Sequence, residues 1–411
     1  MTPAVAADSD AVVITGLGAV CALGGNVDEI WRRLLAGENG SGPVSVFDVS
    51  SCRCQQAAEV KPEWLAPSPG HALRLSRASR LILPAGREAL AQAGVLGSPA
   101  LERIALSVAT TAGGMEWGEE FLRGLIARRP GGLLGLIARQ QPQQQLLDLQ
   151  DALGFRAGIT TIIGNACASG ANAVGHAADL LLTGQAEIVL CGGYEALSEL
   201  VFLGFDCLQA TSITSCRPFD CARDGLMLGE GAAFLVLETA AHAVRRGARA
   251  LAHFSGYGHA TDLNHLTQPS PDGMALASAL RMAARRARID PGAIGYVNAH
   301  GTATPLNDTA EVAAYAAFFG SSPRERLRVS STKAAIGHTL GAAGALEAVF
   351  TVQALRHRRL PPQISTREPM PKIASSLVNV ADSAAPDLRS AASVNLGFGG
   401  SNAALIFAAV P

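Results

Sequence analysis

The sequence predicts an α/β fold assembled from two halves of similar rhythm. Short apolar runs with strand character alternate with helical stretches along the chain, which argues for a partly parallel sheet covered on both faces. The chain has 411 residues, more than one average domain. The pattern restarts near residue 250, so residues 1–250 and 251–411 are expected to form an N-terminal and a C-terminal half.

Composition narrows the class. Hydrophobic residues make up 48% of the chain and charged residues 16%, and 44 residues are Gly, as in a compact, Gly-punctuated enzyme. A net charge of −1 supplies no global field toward nucleic acid. The low charge leaves an apolar surface that a homodimer interface would bury. Residues 1–10 carry Asp8 and Asp10 and no apolar run, so they read as a short tail and not a signal peptide. Elsewhere Gly or a charge interrupts each apolar run before membrane-spanning length. Eight cysteines follow no secreted spacing, and Cys52 with Cys54 lacks the second pair a zinc site needs. A reducing, cytoplasmic setting is expected, with no metal.

The elements follow in order. Ala11–Gly18 is an apolar strand ending in glycines, without the spacing of a dinucleotide fingerprint. Asn26 caps a helix over 27–36, and 37–70 reads as loop. A helix is expected over 71–93. Its Arg74, Arg77 and Arg80 share a face that is either solvated or a dock for an acidic partner. Leu101–Thr111 reads as a strand. Residues 119–150, with Arg128, Arg129 and a Gln-rich run, read as a mixed segment covering a site or an interface. The strand at 159–163 leads into Gly164-Asn165-Ala166-Cys167-Ala168-Ser169-Gly170 and a helix over 171–182. Glu187–Gly193 is a buried strand, Phe202, Phe205 and Leu208 suit a core, and Phe234–Glu238 is another strand. In the second half, strands at 250–257, 294–298 and 329–331 alternate with helices at 273–285, 308–319 and 338–355. Ser393–Leu396 and Ala403–Val410 close the chain as a hairpin around Gly397-Phe398-Gly399-Gly400.

Cys167 stands where a strand turns into a helix, among tiny residues that leave room for a substrate. A cysteine at a helix start feels exposed amide groups that favour the thiolate. Alone, it fits a packing role as well as a nucleophile. His300 follows a strand in His-Gly-Thr-Ala-Thr-Pro, and His338 opens a helix in Gly-His-Thr-Leu-Gly-Ala-Ala-Gly. Lys333 lies among small residues and calls for a buried partner, for which Glu311 is the best acidic candidate. A cysteine with two imidazoles suits an acyl thioester on sulfur and a developing enolate oxygen, which is carbon–carbon bond formation. As zinc ligands, Cys167, His300 and His338 lack short-range spacing.

Four ordered motifs carry a resemblance. They are Asn165–Gly170, Asn298-Ala299-His300-Gly301-Thr302, Ser331-Thr332-Lys333 running to Gly337-His338, and Asn395–Gly400. Over essentially its whole length the chain resembles the beta-ketoacyl-[acyl-carrier-protein] synthases of the elongating type, within the thiolase-like superfamily. The resemblance implies a five-layer αβαβα core of two pseudo-symmetric halves, normally a homodimer. It implies that Cys167 accepts an acyl chain, with the amides of Cys167 and Phe398 as oxyanion hole. His300 and His338 would steady the malonyl enolate, Lys333 held by Glu311 would order the site, and Phe398 would gate it. Thr302, Thr304, Phe202, Phe205 and Thr110 become substrate-contacting candidates, and Arg74, Arg77, Arg80, Arg128 and Arg129 a dock for acidic acyl carrier protein. No cofactor is implied, since substrates arrive as phosphopantetheine thioesters. A degradative thiolase would want a second cysteine near the end, and Gly397–Gly400 has none. A non-catalytic partner subunit, such as a chain-length factor, would lack Cys167, although this chain could pair with one. Asn165 and Ala168 flank the cysteine where the family has Thr before and Ser or Thr after. Tyr194 stands where a small residue is usual, and the Gln-rich run is unlike the housekeeping form. These departures lean toward specialised polyketide or polyene elongation, with housekeeping fatty-acid elongation as the alternative.

Overall fold

A computed structural model describes residues 11–68, 75–128, 134–320, 327–380 and 383–410. Ten strands form one mixed sheet. In chain order they are β1 (Val12–Cys21), β2 (Ala105–Ala109), β3 (Thr160–Ile163), β4 (Ile188–Glu195) and β5 (Gly231–Thr239), then β6 (Ala252–Thr261), β7 (Ile294–Asn298), β8 (Arg328–Ser330), β9 (Ser390–Leu396) and β10 (Ser401–Ala408). The first five lie in the order β1-β5-β4-β2-β3, and the last five repeat it as β6-β10-β9-β7-β8. Directions repeat as well. Two antiparallel pairings are followed by two parallel ones in each set. A short antiparallel contact of β1 with β6 joins the sets.

The helices are α1 (Val27–Leu35), α2 (Arg77–Gln92), α3 (Met115–Ile126), α4 (Leu134–Gln140), α5 (Pro142–Leu153), α6 (Ser169–Leu182), α7 (Glu199–Cys207) and α8 (Ala240–Arg245), then α9 (Met274–Ala287), α10 (Pro305–Phe319), α11 (Lys333–Ile336) and α12 (Ala343–His357). They build three helical layers around the two sheet sections. On one outer face α2 packs on β1 and β5 and carries α5; on the other, α9 packs on β6 and β10 and carries α10. Between the sections α6 and α12 touch each other and both sections, which completes an αβαβα stack. Each interface has its own core. Leu81, Leu106 and Phe234 belong to one outer layer, Leu280, Val297 and Phe318 to the other, and Val174, Ala177, Leu346 and Val349 to the centre.

Glycine explains the close approach of the outer helices. A Cβ on Gly16 or Gly18 would lie 2.1 or 2.0 Å from a carbonyl oxygen of α2, and one on Gly256 or Gly258 would lie 2.2 or 2.0 Å from a carbonyl oxygen of α9. The Gly-x-Gly of β1 therefore lets a helix lie on the strand, and β6 uses the same device.

Several boundaries differ from the sequence reading. The helix expected over 71–93 starts at Arg77, because the Ser76 side chain accepts the Ser79 N–H at 2.9 Å and caps it. Residues 99–103 form a 3-10 turn, which shortens the following strand to Ala105–Ala109. The segment 119–150 is helical in α3, α4 and α5. Helix α7, for which the sequence reading gave only core positions, starts behind Ser198, whose hydroxyl accepts from Val201 N–H. Among the described residues, no helix is long and apolar enough to cross a membrane.

Candidate active site

The cysteine turn is built by backbone strain that a serine stabilises. Ala166 has φ 55°, a left-handed conformation unfavourable for a residue with a Cβ. Ser169 holds it: its hydroxyl donates to Ala166 O at 2.6 Å and accepts from Asn165 N at 2.8 Å. Cys167 then lies in a 3-10 turn at the foot of α6. The second half repeats the geometry. Leu340 has φ 48°, and a 3-10 turn over Leu340–Ala342 leads into α12. Gly170 and Gly344 let the two turns meet. A Cβ on Gly170 would lie 2.7 Å from Ala345 N, and one on Gly344 2.3 Å from Ala171 N.

This contact gathers the chemistry. Cys167, His300 and His338 line one cavity of about 320 Å³, with Thr302, Thr304, Phe205 and Phe398 in its wall. The His300 and His338 rings meet edge to face, centroids 5.3 Å apart. The backbone N–H groups of Phe398 and of Cys167 itself are both directed at the Cys167 thiol. Burial pushes that thiol up to about 11, although the Lys333 ammonium and the two amides pull it down. The thiolate-favouring helix start expected from the sequence is thus outweighed by burial. Burial also holds both imidazoles well below the usual histidine range, and Lys333 adds to the effect. Both rings are therefore neutral at pH 7. His338 Nδ1 accepts the Leu340 N–H at 3.3 Å, so the ring proton lies on Nε2, where it can be donated.

Lys333 is paired, but not with Glu311. Its ammonium binds the buried Glu347 carboxylate, whose other oxygen accepts from Asn395 Nδ2 at 2.7 Å. Glu311 instead accepts the His300 and Gly301 N–H groups, each at 2.7 Å, and the Tyr315 hydroxyl at 2.6 Å. It shapes the loop that carries His300. No spacing marked Glu347: it lies fourteen residues after Lys333 in α12, which starts at Ala343 and not at His338 as expected, and only packing brings the two side chains together.

Other sequence candidates scatter. Thr302 and Thr304 share a hydroxyl contact of 2.9 Å in the cavity wall. Phe205 stacks on Phe398, centroids 5.8 Å apart. Phe202 is fully buried against Phe47, and Thr110 donates to Glu195 at 2.9 Å; neither is in the cavity wall. Arg77 is no surface dock. Its guanidinium is mostly buried against the Glu230 carboxylate and bonds Val60 O at 3.0 Å. Arg80 is half-buried and donates to Ala66 O at 2.7 Å. Arg128 is exposed at the end of α3, and Arg74 and Arg129 lie outside the described residues. Asn165 donates to Ser401 Oγ at 3.0 Å, tying the cysteine turn to the strand after the Phe398 loop. Tyr194 is buried with its hydroxyl on Pro142 O and Gln145 Oε1, at 3.3 and 3.4 Å. The aromatic departure and the Gln-rich run therefore pack on each other, away from the cavity. Among the described residues, no group of three or more His, Cys, Asp or Glu side chains is placed to hold a metal ion.

Comparison with known proteins agrees with this geometry. The family model for the beta-ketoacyl synthase N-terminal domain matches residues 9–243, and that for the C-terminal domain matches residues 251–367. The 3-oxoacyl-[acyl-carrier-protein] synthase 2 of Staphylococcus aureus (strain COL) is 34% identical, covering 96% of this chain and 97% of its own. The protein of the same name from Synechocystis is 33% identical with the same coverage. Among solved structures, a beta-ketoacyl synthase from Burkholderia phymatum is 35% identical with a TM-score of 0.87, covering 98% of this chain and all of its own. The ishigamide ketosynthase/chain length factor is 32% identical with a TM-score of 0.88, covering 98% of this chain and 99% of its own. With a thiol, two neutral imidazoles and two convergent amides in one cavity, and with likeness along nearly its full length, the chain belongs to the beta-ketoacyl synthase family and is a carbon–carbon bond-forming condensing enzyme.

Proposed function

We propose that the enzyme joins an acyl group on Cys167 to malonyl-[acyl-carrier-protein] by decarboxylative Claisen condensation. The observation that carries this reading is the convergence of the Cys167 and Phe398 amides on the thiol, in a cavity shared with two neutral histidines. The Cys167 sulfur attacks the acyl thioester. The oxyanion lies between the two amides, and the carrier thiol leaves with the cysteine's proton. The malonyl thioester carbonyl then accepts hydrogen bonds from His300 and His338. The bond to the carboxylate breaks, carbon dioxide departs, and its electron pair forms the enolate. The enolate carbon attacks the acyl-Cys167 carbonyl and expels the sulfur as a thiolate, which takes a proton from water. The product is a beta-ketoacyl-carrier protein two carbons longer. Lys333, held by Glu347, supplies positive charge near the thiol and adds to the burial that keeps both imidazoles neutral.

Fatty-acid elongation is the favoured setting. The relatives of 33–34% identity are named 3-oxoacyl-[acyl-carrier-protein] synthase 2, and the departures at Tyr194 and the Gln-rich run amount to one packing arrangement outside the cavity. The specialised reading has its own support in the likeness to the ishigamide ketosynthase/chain length factor. On this proposal residues 1–250 carry the nucleophile and 251–411 both histidines. A homodimer would cover the exposed Leu122, Leu125, Ile126 and Leu134 of α3 and α4, and a chain-length-factor-like partner could cover the same face. Mass spectrometry of the purified chain with a panel of acyl-carrier proteins tests the setting. Saturated chains should load Cys167 and be extended by the chain alone. Extension of polyunsaturated chains only, or only with an added partner subunit, would favour the specialised reading.

A further inference from the structure

Glu195 ends β4 as a fully buried carboxylate with no basic side chain among its hydrogen-bond partners in the described residues. Every group bonded to it is a donor. One oxygen takes the Thr110 hydroxyl and the Ala112 N–H, each at 2.9 Å. The other takes the Thr111 N–H and hydroxyl and the Gly341 N–H, the two amides at 2.9 Å. Such donor-only surroundings suit a carboxylate that organises backbone. The Gly341 contact is the informative one. Gly341 directly follows the left-handed Leu340, whose own N–H fixes the His338 tautomer. The fit is close: a Cβ on Gly341 would lie 2.7 Å from the Glu195 carboxylate.

We propose that Glu195 is a positioning residue for His338: by holding the Gly341 amide it fixes the turn whose Leu340 N–H keeps the imidazole proton on Nε2, toward the malonyl carbonyl. The chain of contacts runs from the Glu195 carboxylate to Gly341 N, through one peptide to Leu340 N, and on to His338 Nδ1. Without it the turn can leave its unfavourable conformation, and His338 loses the contact that selects its donor nitrogen. Loading of Cys167 uses other groups, the Cys167 and Phe398 amides. Glu195 reaches that step only as a charge that helps burial hold the Cys167 thiol up, so its removal should slow decarboxylation without slowing loading. This inference rests on the roles assigned above to Cys167 and His338.

The test separates the half-reactions in one preparation. Transfer of an acyl group from carrier protein to Cys167 is followed by intact mass, and carbon dioxide release from malonyl-carrier protein is followed separately. In Glu195→Ala, decarboxylation should fall about tenfold or more while acylation stays within about threefold of the parent. Glu195→Gln can turn its carbonyl oxygen to Gly341, although its amide group then faces the Ala112 N–H, and should recover part of the decarboxylation. If Glu195→Ala does not fold, Glu195→Asp replaces it, since its carboxylate is drawn back one methylene from Gly341 and the same split is expected. Equal losses in both half-reactions, or a Gln variant no better than the Ala or Asp variant, would overturn the proposal. Failure of the underlying reading looks different: His338→Ala would then leave decarboxylation unchanged in the otherwise native enzyme.

Discussion

At the scale of single residues, burial governs the site more than local sequence does. The cysteine motif and the two histidines were legible because each sits at a strand end or helix start in a bed of small residues. The partner of Lys333 was not, because an ion pair between α11 and α12 depends on tertiary packing rather than spacing. A double-mutant cycle distinguishes the two carboxylates. Lys333→Met with Glu347→Leu should show strong coupling, whereas Lys333→Met with Glu311→Gln should be additive to within about 0.5 kcal/mol in urea unfolding. Glu347→Ala alone, which leaves a buried ammonium unpaired, should cost about 3–5 kcal/mol. Titration gives a second check. With the thiol pushed up to about 11, the thiolate fraction rises tenfold per pH unit below that value. Alkylation of Cys167 by iodoacetamide should therefore keep climbing from pH 7 to about 10, with no plateau near the ordinary thiol pKa of about 8.5. The histidines have the opposite sign: lowered values mean they gain a proton only in more acidic solution. Decarboxylation should not fall as pH drops through 6.5, the ordinary histidine value; a loss there would show that one ring is charged in the free enzyme.

At the scale of elements, paired turns bring the chemistry together. The strand–helix alternation and the closing hairpin were readable from apolar runs and glycines, although the helices expected from 71 and 338 start later, at Arg77 and Ala343, and the strand expected over 101–111 narrows to Ala105–Ala109. Residues 119–150 were not, because the exposed leucines of α3 and α4 blur helical periodicity. The Gly-x-Gly pairs at 16 and 18 and at 256 and 258 were a legible sign of internal repetition. Their meaning appears only when α2 and α9 lie on them. The Gly170–Gly344 contact has a direct consequence. Alanine at either position pushes a methyl into the backbone of the other helix, which does not yield as a flexible side chain would. Gly344→Ala should destabilise by about 1–3 kcal/mol and slow both half-reactions together, because it separates the cysteine turn from the histidine turn. Thermal unfolding and the paired assay described for Glu195 check this.

At the scale of the whole molecule, two sheet sections of identical strand order divide the work. The first brings the thiol, the second brings both imidazoles and the lysine, and the cavity lies where they meet. The αβαβα stack was expected only through resemblance, since strand order cannot be read from one sequence. The arginine dock on the helix after residue 71 shows the same limit. Three-residue spacing marks a face but does not say whether solvent or Glu230 meets it. The central claim is that acyl transfer to Cys167 and loss of carbon dioxide are steps of one condensation. A single-turnover experiment tests it most directly. Cys167 is loaded with an isotopically labelled acyl group, freed of excess donor, and mixed with malonyl-carrier protein. The account predicts that the label leaves Cys167 and appears on carrier protein as a beta-ketoacyl chain two carbons longer, with one carbon dioxide released for each acyl group consumed. Label released as free acid, or carbon dioxide formed while the label stays on Cys167, would contradict it.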